Sequence, residues 1–282
     1  MPEISFPYAF SPKGKTGGEF GRVIRQISAR LEKLRQAKPG DDTETVHEIR
    51  TTIKLLRALL WFAQPVLPPT TLAHARNGLQ NAARLLAARR NLTAMQSTLR
   101  NLAEETGAPQ EHDVIRQTGD LLAAHAPKTT PRTMARQRNE AIARVQKTIR
   151  LLINAAAAGS GWKSPKKRLR KARAAADRAQ ERAEDEPTPA RFHEWRKKAK
   201  RLLYLLLLFH PDPQGKEKRD IAAVDELQHD LGDHHDAVIL QEHLARHHPG
   251  HGADPAFEPI FGLLEERLQR LRKKAGMIAR KL

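Results

Sequence analysis

The sequence predicts an all-α protein, arranged as two four-helix bundles related by an internal pseudo-twofold repeat. Three observations lead there. Apolar residues recur at helical spacing along most of the chain, with no convincing two-residue alternation of the strand kind. Proline- and glycine-bearing breaks divide that pattern into helix-length segments. One helix is also written twice: Val46-His-Glu-Ile-Arg-Thr-Thr-Ile-Lys-Leu-Leu-Arg continues to Phe62, and Phe192-His-Glu-Trp-Arg-Lys-Lys-Ala-Lys-Arg continues to Phe209. A period of about half the chain favours two similar lobes.

Residues 1–18, rich in Gly, Pro and Lys, read as a flexible tail. A first helix spans about 19–37 and ends at Pro39-Gly40. Asp42 or Thr43 can cap the next, whose body is 46–62 and which Pro65, Pro68 and Pro69 terminate. A long helix is predicted over 72–105, a shorter one over 111–126, and another from Pro131 to Ala158. The segment 159–165, Gly-Ser-Gly-Trp-Lys-Ser-Pro, reads as a joint between an N-terminal lobe (19–158) and a C-terminal lobe (166–282). Helices near 165–184, 189–209, 216–248 and 256–281 fill the second lobe. In the first of these, Leu169, Ala172, Ala176, Ala179 and Ala183 follow the heptad-like spacing of a bundle seam.

Composition narrows the function classes. The 282 residues contain no cysteine, which excludes disulfides and thiolate metal sites. The longest apolar run, Leu202–Phe209, is far too short to span a bilayer, and the first 30 residues lack the apolar core of a signal peptide. A soluble, cytoplasmic protein without a membrane role is expected. Fifty Lys and Arg stand against 32 Asp and Glu, a net charge of +18. From Arg132 to Arg182 there are 15 Lys/Arg against Glu140, Asp177 and Glu181, a net of +12. Charge concentrated in this way points to a polyanionic partner.

The repeated helix carries two stripes. At about 100° per residue, Ile49, Ile53, Leu56 and Leu60 share one face, and His47, Arg50, Lys54 and Arg57 share another. In the second copy Trp195, Ala199, Leu202, Leu206 and Phe209 form the apolar face. His193, Arg196, Lys200 and Tyr204 run beside it, broadened by Lys197 and Arg201. Arg offers forked donors to phosphate oxygens, Lys a mobile charge, and His a donor that gains charge beside an anion. One such stripe fits an ordinary solvated face; two in register do not. A second paired element follows each histidine by about 40 residues: Leu86-Ala-Ala-Arg-Arg-Asn aligns with Leu231-Gly-Asp-His-His-Asp, placing Arg89, Arg90 and Asn91 opposite His234, His235 and Asp236.

These motifs, their duplication and their order resemble the CHAD family, named for histidines on an α-helical domain, over roughly residues 19–281. The resemblance implies a basic surface that binds inorganic polyphosphate, and association with polyphosphate granules. It carries the contacts to His47, Arg50, Lys54, Arg57, Arg90, His193, Arg196, Lys197, Lys200 and Arg201. A secondary set comprises Arg89, Lys166, Arg170, Arg173 and Tyr204. This chain departs from the family pattern at Asn91, where an acid is expected, at Leu203, where the cation matching Arg57 is absent, and at Ala87-Ala88, in place of a Leu-Gly step. Unequal lobes are therefore expected. Members of the family often follow a tunnel-fold triphosphatase domain marked by a Glu-x-Glu-x-Lys strand. That strand is missing here, which implies the stand-alone, non-catalytic form with no cofactor or metal.

Two rivals compete with that reading. Seven of the 13 histidines lie between His229 and His251, interleaved with Asp230, Asp233 and Asp236. The i, i+4 pairs His229/Asp233 and His243/His247 raise a metal-dependent phosphohydrolase. Arg and Lys beside the repeated histidines make poor company for a divalent cation, and histidines near a helix end also complement its dipole. A pI near 10.5 raises nucleic acid as the partner. No motif places a recognition helix in a groove, so weak, salt-sensitive binding is the expectation. Histidine participation predicts tighter polyanion binding as pH falls through about 7.5 to 5.5.

Overall fold

A computed structural model describes residues 6–36, 42–126, 130–158, 161–247 and 258–282. Ten helices occur among them: α1 (Thr16–Arg35), α2 (Asp42–Ala63), α3 (Pro69–Leu85), α4 (Ala87–Glu105), α5 (Pro109–Ala124), α6 (Pro131–Ala158), α7 (Pro165–Asp185), α8 (Pro189–Phe209), α9 (Gly215–His247) and α10 (Glu258–Ala279). No strand is present among the described residues. Five of these helices open on proline, whose fixed φ suits the first turn and whose missing N–H costs nothing there. At three of them the preceding hydroxyl caps the turn. Thr130 Oγ1 accepts from the Thr133 N–H at 3.2 Å, Ser164 Oγ from Lys167 at 3.2 Å, and Thr188 Oγ1 from Arg191 at 3.4 Å.

Two segments differ from expectation. The single helix over 72–105 is two helices, broken at Leu86. The Leu86 N–H closes a tighter bond to the Ala83 carbonyl at 3.2 Å, and the Leu86 carbonyl accepts from Arg50 Nη1 at 3.3 Å. No proline or glycine marks this break; a tertiary hydrogen bond from α2 accompanies it. The second difference lies in the expected tail. Helix α1 begins at Thr16, and Phe10 before it is packed: it is buried against Phe62 and Phe209, and its N–H donates to the Leu208 carbonyl at 2.7 Å.

The chain forms two compact units, each drawing on both sequence halves, so neither coincides with residues 19–158 or 166–282. Unit 1 comprises the described residues of Met1–Ala87, Thr129–Ala175 and Lys200–Ala222; unit 2 comprises those of Ala88–Lys128, Ala176–Ala199 and Ala223–Leu282. Helices α7, α8 and α9 thus each contribute one part to each unit.

In unit 1, α1, α2, α3 and α6 pack on one another. Their buried stripes supply Ile24, Ile27, Ile53, Leu56, Leu79, Val145 and Ile149, each worth about 1.5–3 kcal/mol of burial. Where α3 meets α6, a Cβ on Gly78 would stand 2.4 Å from Thr148 Oγ1, so only glycine allows that approach. In unit 2, one core joins Leu99 and Leu102 of α4, Ile115 and Leu122 of α5, Leu240 and Leu244 of α9, and Leu264 and Leu268 of α10. A second core gathers Ala183, Phe192, Trp195, Ala199, Leu231 and Ile278.

Candidate functional site

Unit 1 carries the first histidine helix. Helix α2 buries Ile49, Ile53, Leu56 and Leu60 almost completely, as its apolar spacing requires, and this sets the azimuth of the neighbouring stripe. His47 and Arg57 are exposed, and Arg50 and Lys54 half-buried, along about 15 Å of helix. Although Arg57 is exposed overall, desolvation by its neighbours lowers the guanidinium pKa from its ordinary value. The acidic residue of the motif, Glu48, is engaged elsewhere: Arg30 of α1 donates to it through Nε and through Nη2, the latter at 2.8 Å. Four residues beyond Arg57 the stripe reaches Trp61. The Arg168 guanidinium of α7 lies 3.8 Å from the Trp61 ring centroid and donates to the Trp61 carbonyl, and Arg201 of α8 lies 4.9 Å from the same ring.

Unit 2 carries the second histidine and a denser constellation. The His193 and His235 rings lie 4.4 Å apart, tilted at 42°. Arg90 of α4 forms an ion pair with Asp236 of α9. Arg196 leans onto α9 at Gly232, where a Cβ would come within 3.9 Å of its Nε. His193 Nδ1 and Arg196 Nε are both buried without a hydrogen-bond partner. The titrations follow from this crowding. Burial, then Lys197 and Arg196, hold the His193 pKa below its ordinary 6.5. Burial and the Arg196 charge push His235 down to about 3. Burial lowers the Arg196 pKa, with Asp236 opposing and Arg90 adding to the effect. The result is a cluster of two histidines with lowered pKa values, two arginines and one aspartate, in which two buried polar nitrogens lack a hydrogen-bond partner. An anion entering it would supply acceptors and relieve like-charge repulsion.

The remaining expected contacts divide. Lys197 is exposed and paired with Glu194 at 3.2 Å; Lys198 and then Lys197 draw that carboxyl down to about 2. Lys200 and Arg201 are half-buried and belong to unit 1. Lys166 and Arg170 are exposed on α7, whereas Arg173 is held by Asp220 at 2.6 Å. Tyr204 is buried and lines a cleft of about 700 Å³ in unit 1 with Tyr8, Arg30 and Glu48. The Arg89 side chain lies outside the described residues. Sequence reasoning did not assign His235, Gly232, Trp61 or Arg168 a part. The signal for His235 was its alignment opposite Arg90; for Trp61 it was the continued spacing from Arg50, Lys54 and Arg57.

The histidine–aspartate run of α9 is tied up by cations. Lys274 donates to Asp230 at 2.9 Å, Arg267 lies 3.5 Å from Asp233 and also binds Glu105, and Asp236 takes Arg90. Exposed His229 stands 3.9 Å from Asp233. His234 stacks on Phe192 and accepts from Arg272 Nε at 3.2 Å through Nε2, so that nitrogen carries no proton; burial and then the Arg272 charge push its pKa down to about 4. Among the described residues no three metal-ligating side chains converge. The side chain of His247, and all of His248 and His251, lie outside them. No helix among the described residues is long and apolar enough to cross a membrane.

Comparison with known proteins completes the picture. Two uncharacterized proteins of Mycobacterium tuberculosis, from strains CDC 1551 / Oshkosh and ATCC 25618 / H37Rv, are each 28% identical over 283 residues, covering 92% of this chain and 53% of the relative. The chain therefore spans about half the length of the curated relatives it matches. The crystal structure of the CHAD domain from the plant Ricinus communis shares the fold, with a TM-score of 0.69 at 18% identity, over 100% of this chain and 97% of that one. The CHAD domain model matches residues 25–245, which hold both histidine helices and both later segments. This chain belongs to the CHAD domain family.

Proposed function

We propose that this chain binds inorganic polyphosphate without hydrolysing it, through the α2 stripe of unit 1 and the His193–Arg196–His235 cluster of unit 2. One observation carries the reading: buried Nδ1 of His193 and Nε of Arg196 lack hydrogen-bond partners beside Arg90 and Lys197, where an anion would offset the like charges. The mechanism is preorganised charge matching. Rigid helices hold guanidinium, ammonium and imidazole groups at phosphate-like intervals, so a flexible polyanion loses its own freedom while the protein reorganises little. Bound phosphate raises the pKa of His193 and His235, so binding takes up protons. Because both start low in the free protein, the gain in affinity extends below pH 6.5. In a cell that stores polyphosphate, the protein would sit on its granules.

The test is equilibrium titration with long-chain polyphosphate of the parent protein, of Arg50→Gln/Lys54→Gln and of Lys197→Gln. Removing two stripe cations should weaken binding by about tenfold and flatten the dependence of log affinity on log salt by about two counterions. Unchanged affinity and slope in the double variant would remove α2 from the binding surface.

A further inference from the structure

We propose that Arg168, Trp61 and Arg201 form a phosphoryl-binding subsite of unit 1, in which Trp61 is a positioning residue that extends the α2 stripe. The inference rests on the polyphosphate reading, gives Arg201 a place in it and adds two residues, Trp61 and Arg168. Trp61 follows Arg50, Lys54 and Arg57 at offsets of 11, 7 and 4, so it shares their face of α2. Its half-buried indole is engaged by two guanidinium groups, from α7 at 3.8 Å and from α8 at 4.9 Å.

Arg168 is the unusual member. It is 5% exposed, its Nε is buried without a hydrogen-bond partner, and its compensation is the Trp61 carbonyl and ring face. Burial, and then the charge of neighbouring Arg201, lower its pKa. A carbonyl in the last turn of α2 and a ring quadrupole offset part of a buried cation. The positive fields of Arg168 and of half-buried Arg201 add beside this indole. A tetrahedral oxyanion suits that field, accepting from the Arg201 fork while Arg168 holds the ring and supplies charge from behind. Because both guanidiniums already occupy the indole, a nucleobase gains little by stacking there, so the subsite selects phosphoryl groups over bases.

The experiment follows intrinsic fluorescence while long-chain polyphosphate, tripolyphosphate or sulfate is added to the parent protein, Trp61→Phe, Arg201→Gln and Arg168→Lys, with thermal melting to verify folding. The parent should show a polyphosphate-dependent emission change that Trp61→Phe lacks. Arg201→Gln should bind about three- to tenfold more weakly, with a salt slope smaller by about one counterion. Arg168→Lys keeps the charge and loses the planar stack, and it should weaken binding similarly. A Trp61 signal that sulfate reproduces at equal concentration overturns selectivity for phosphoryl chains. If all three folded variants match the parent in affinity and slope while Arg50→Gln/Lys54→Gln is weakened, the subsite is wrong and the wider reading stands. If the parent itself does not bind polyphosphate, both fall.

Discussion

At the scale of the residue, the histidines decide how this protein responds to acid. His234 and His235 are neutral in the free fold, with pKa values of about 4 and about 3, against an ordinary 6.5. Below pH 6.5 the unfolded chain binds more protons at these positions than the folded one. Stability is therefore present above 6.5 and is lost as pH falls towards those values, by at most about 1.4 kcal/mol per pH unit for each proton. Melting temperatures recorded between pH 7 and 4 should fall less steeply for His234→Gln/His235→Gln than for the parent. An equal slope would show that these imidazoles are not held neutral. If polyphosphate binds at His193 and His235 as proposed, it should reverse the effect there by favouring their charged forms. Binding affinity and free-state stability should thus move in opposite directions on acidification, a divergence seen by running melts with and without ligand.

At the scale of the element, α9 shows how a small residue serves a site. Gly232 lies within a helix, where glycine costs about 1 kcal/mol relative to alanine, yet a Cβ there would meet Arg196 Nε at an ordinary 3.9 Å. Gly232→Ala should raise stability by about 0.5–1 kcal/mol and leave polyphosphate affinity nearly unchanged. Gly232→Leu should displace Arg196 and weaken binding while melting changes less. Equal binding by the leucine variant would mean that Arg196 does not contribute. On α8, Trp195 is 1% exposed, and Trp195→Ala should cost about 3–5 kcal/mol in chemical denaturation. The stripes of α2 and α8 were legible in the sequence because a 100° step fixes which residues share a face once the apolar side is buried. Less legible was which cations are already engaged. Arg173 meets Asp220 47 positions away, and Arg50 meets the Leu86 carbonyl at a helix break that no proline or glycine announces. Such pairings depend on tertiary contacts that periodicity does not encode. Trp61 fell between categories, an aromatic residue at a cationic position whose role depends on Arg168 arriving from α7.

At the scale of the whole molecule, the net charge of +18 ensures some affinity for any polyanion, so binding alone distinguishes little. The discriminating quantity is preference. Long-chain polyphosphate offers a phosphate at each unit of a bare chain, whereas DNA and RNA separate their phosphates with sugars and carry bases. The most direct measurement is competition: protein bound to labelled long-chain polyphosphate at near-physiological salt, challenged with excess double-stranded DNA and RNA, with free phosphate assayed in the same samples. Polyphosphate recognition without hydrolysis requires that the complex persist and that no phosphate appear. Displacement by nucleic acid at matched phosphate concentration, or release of phosphate with time, would contradict it.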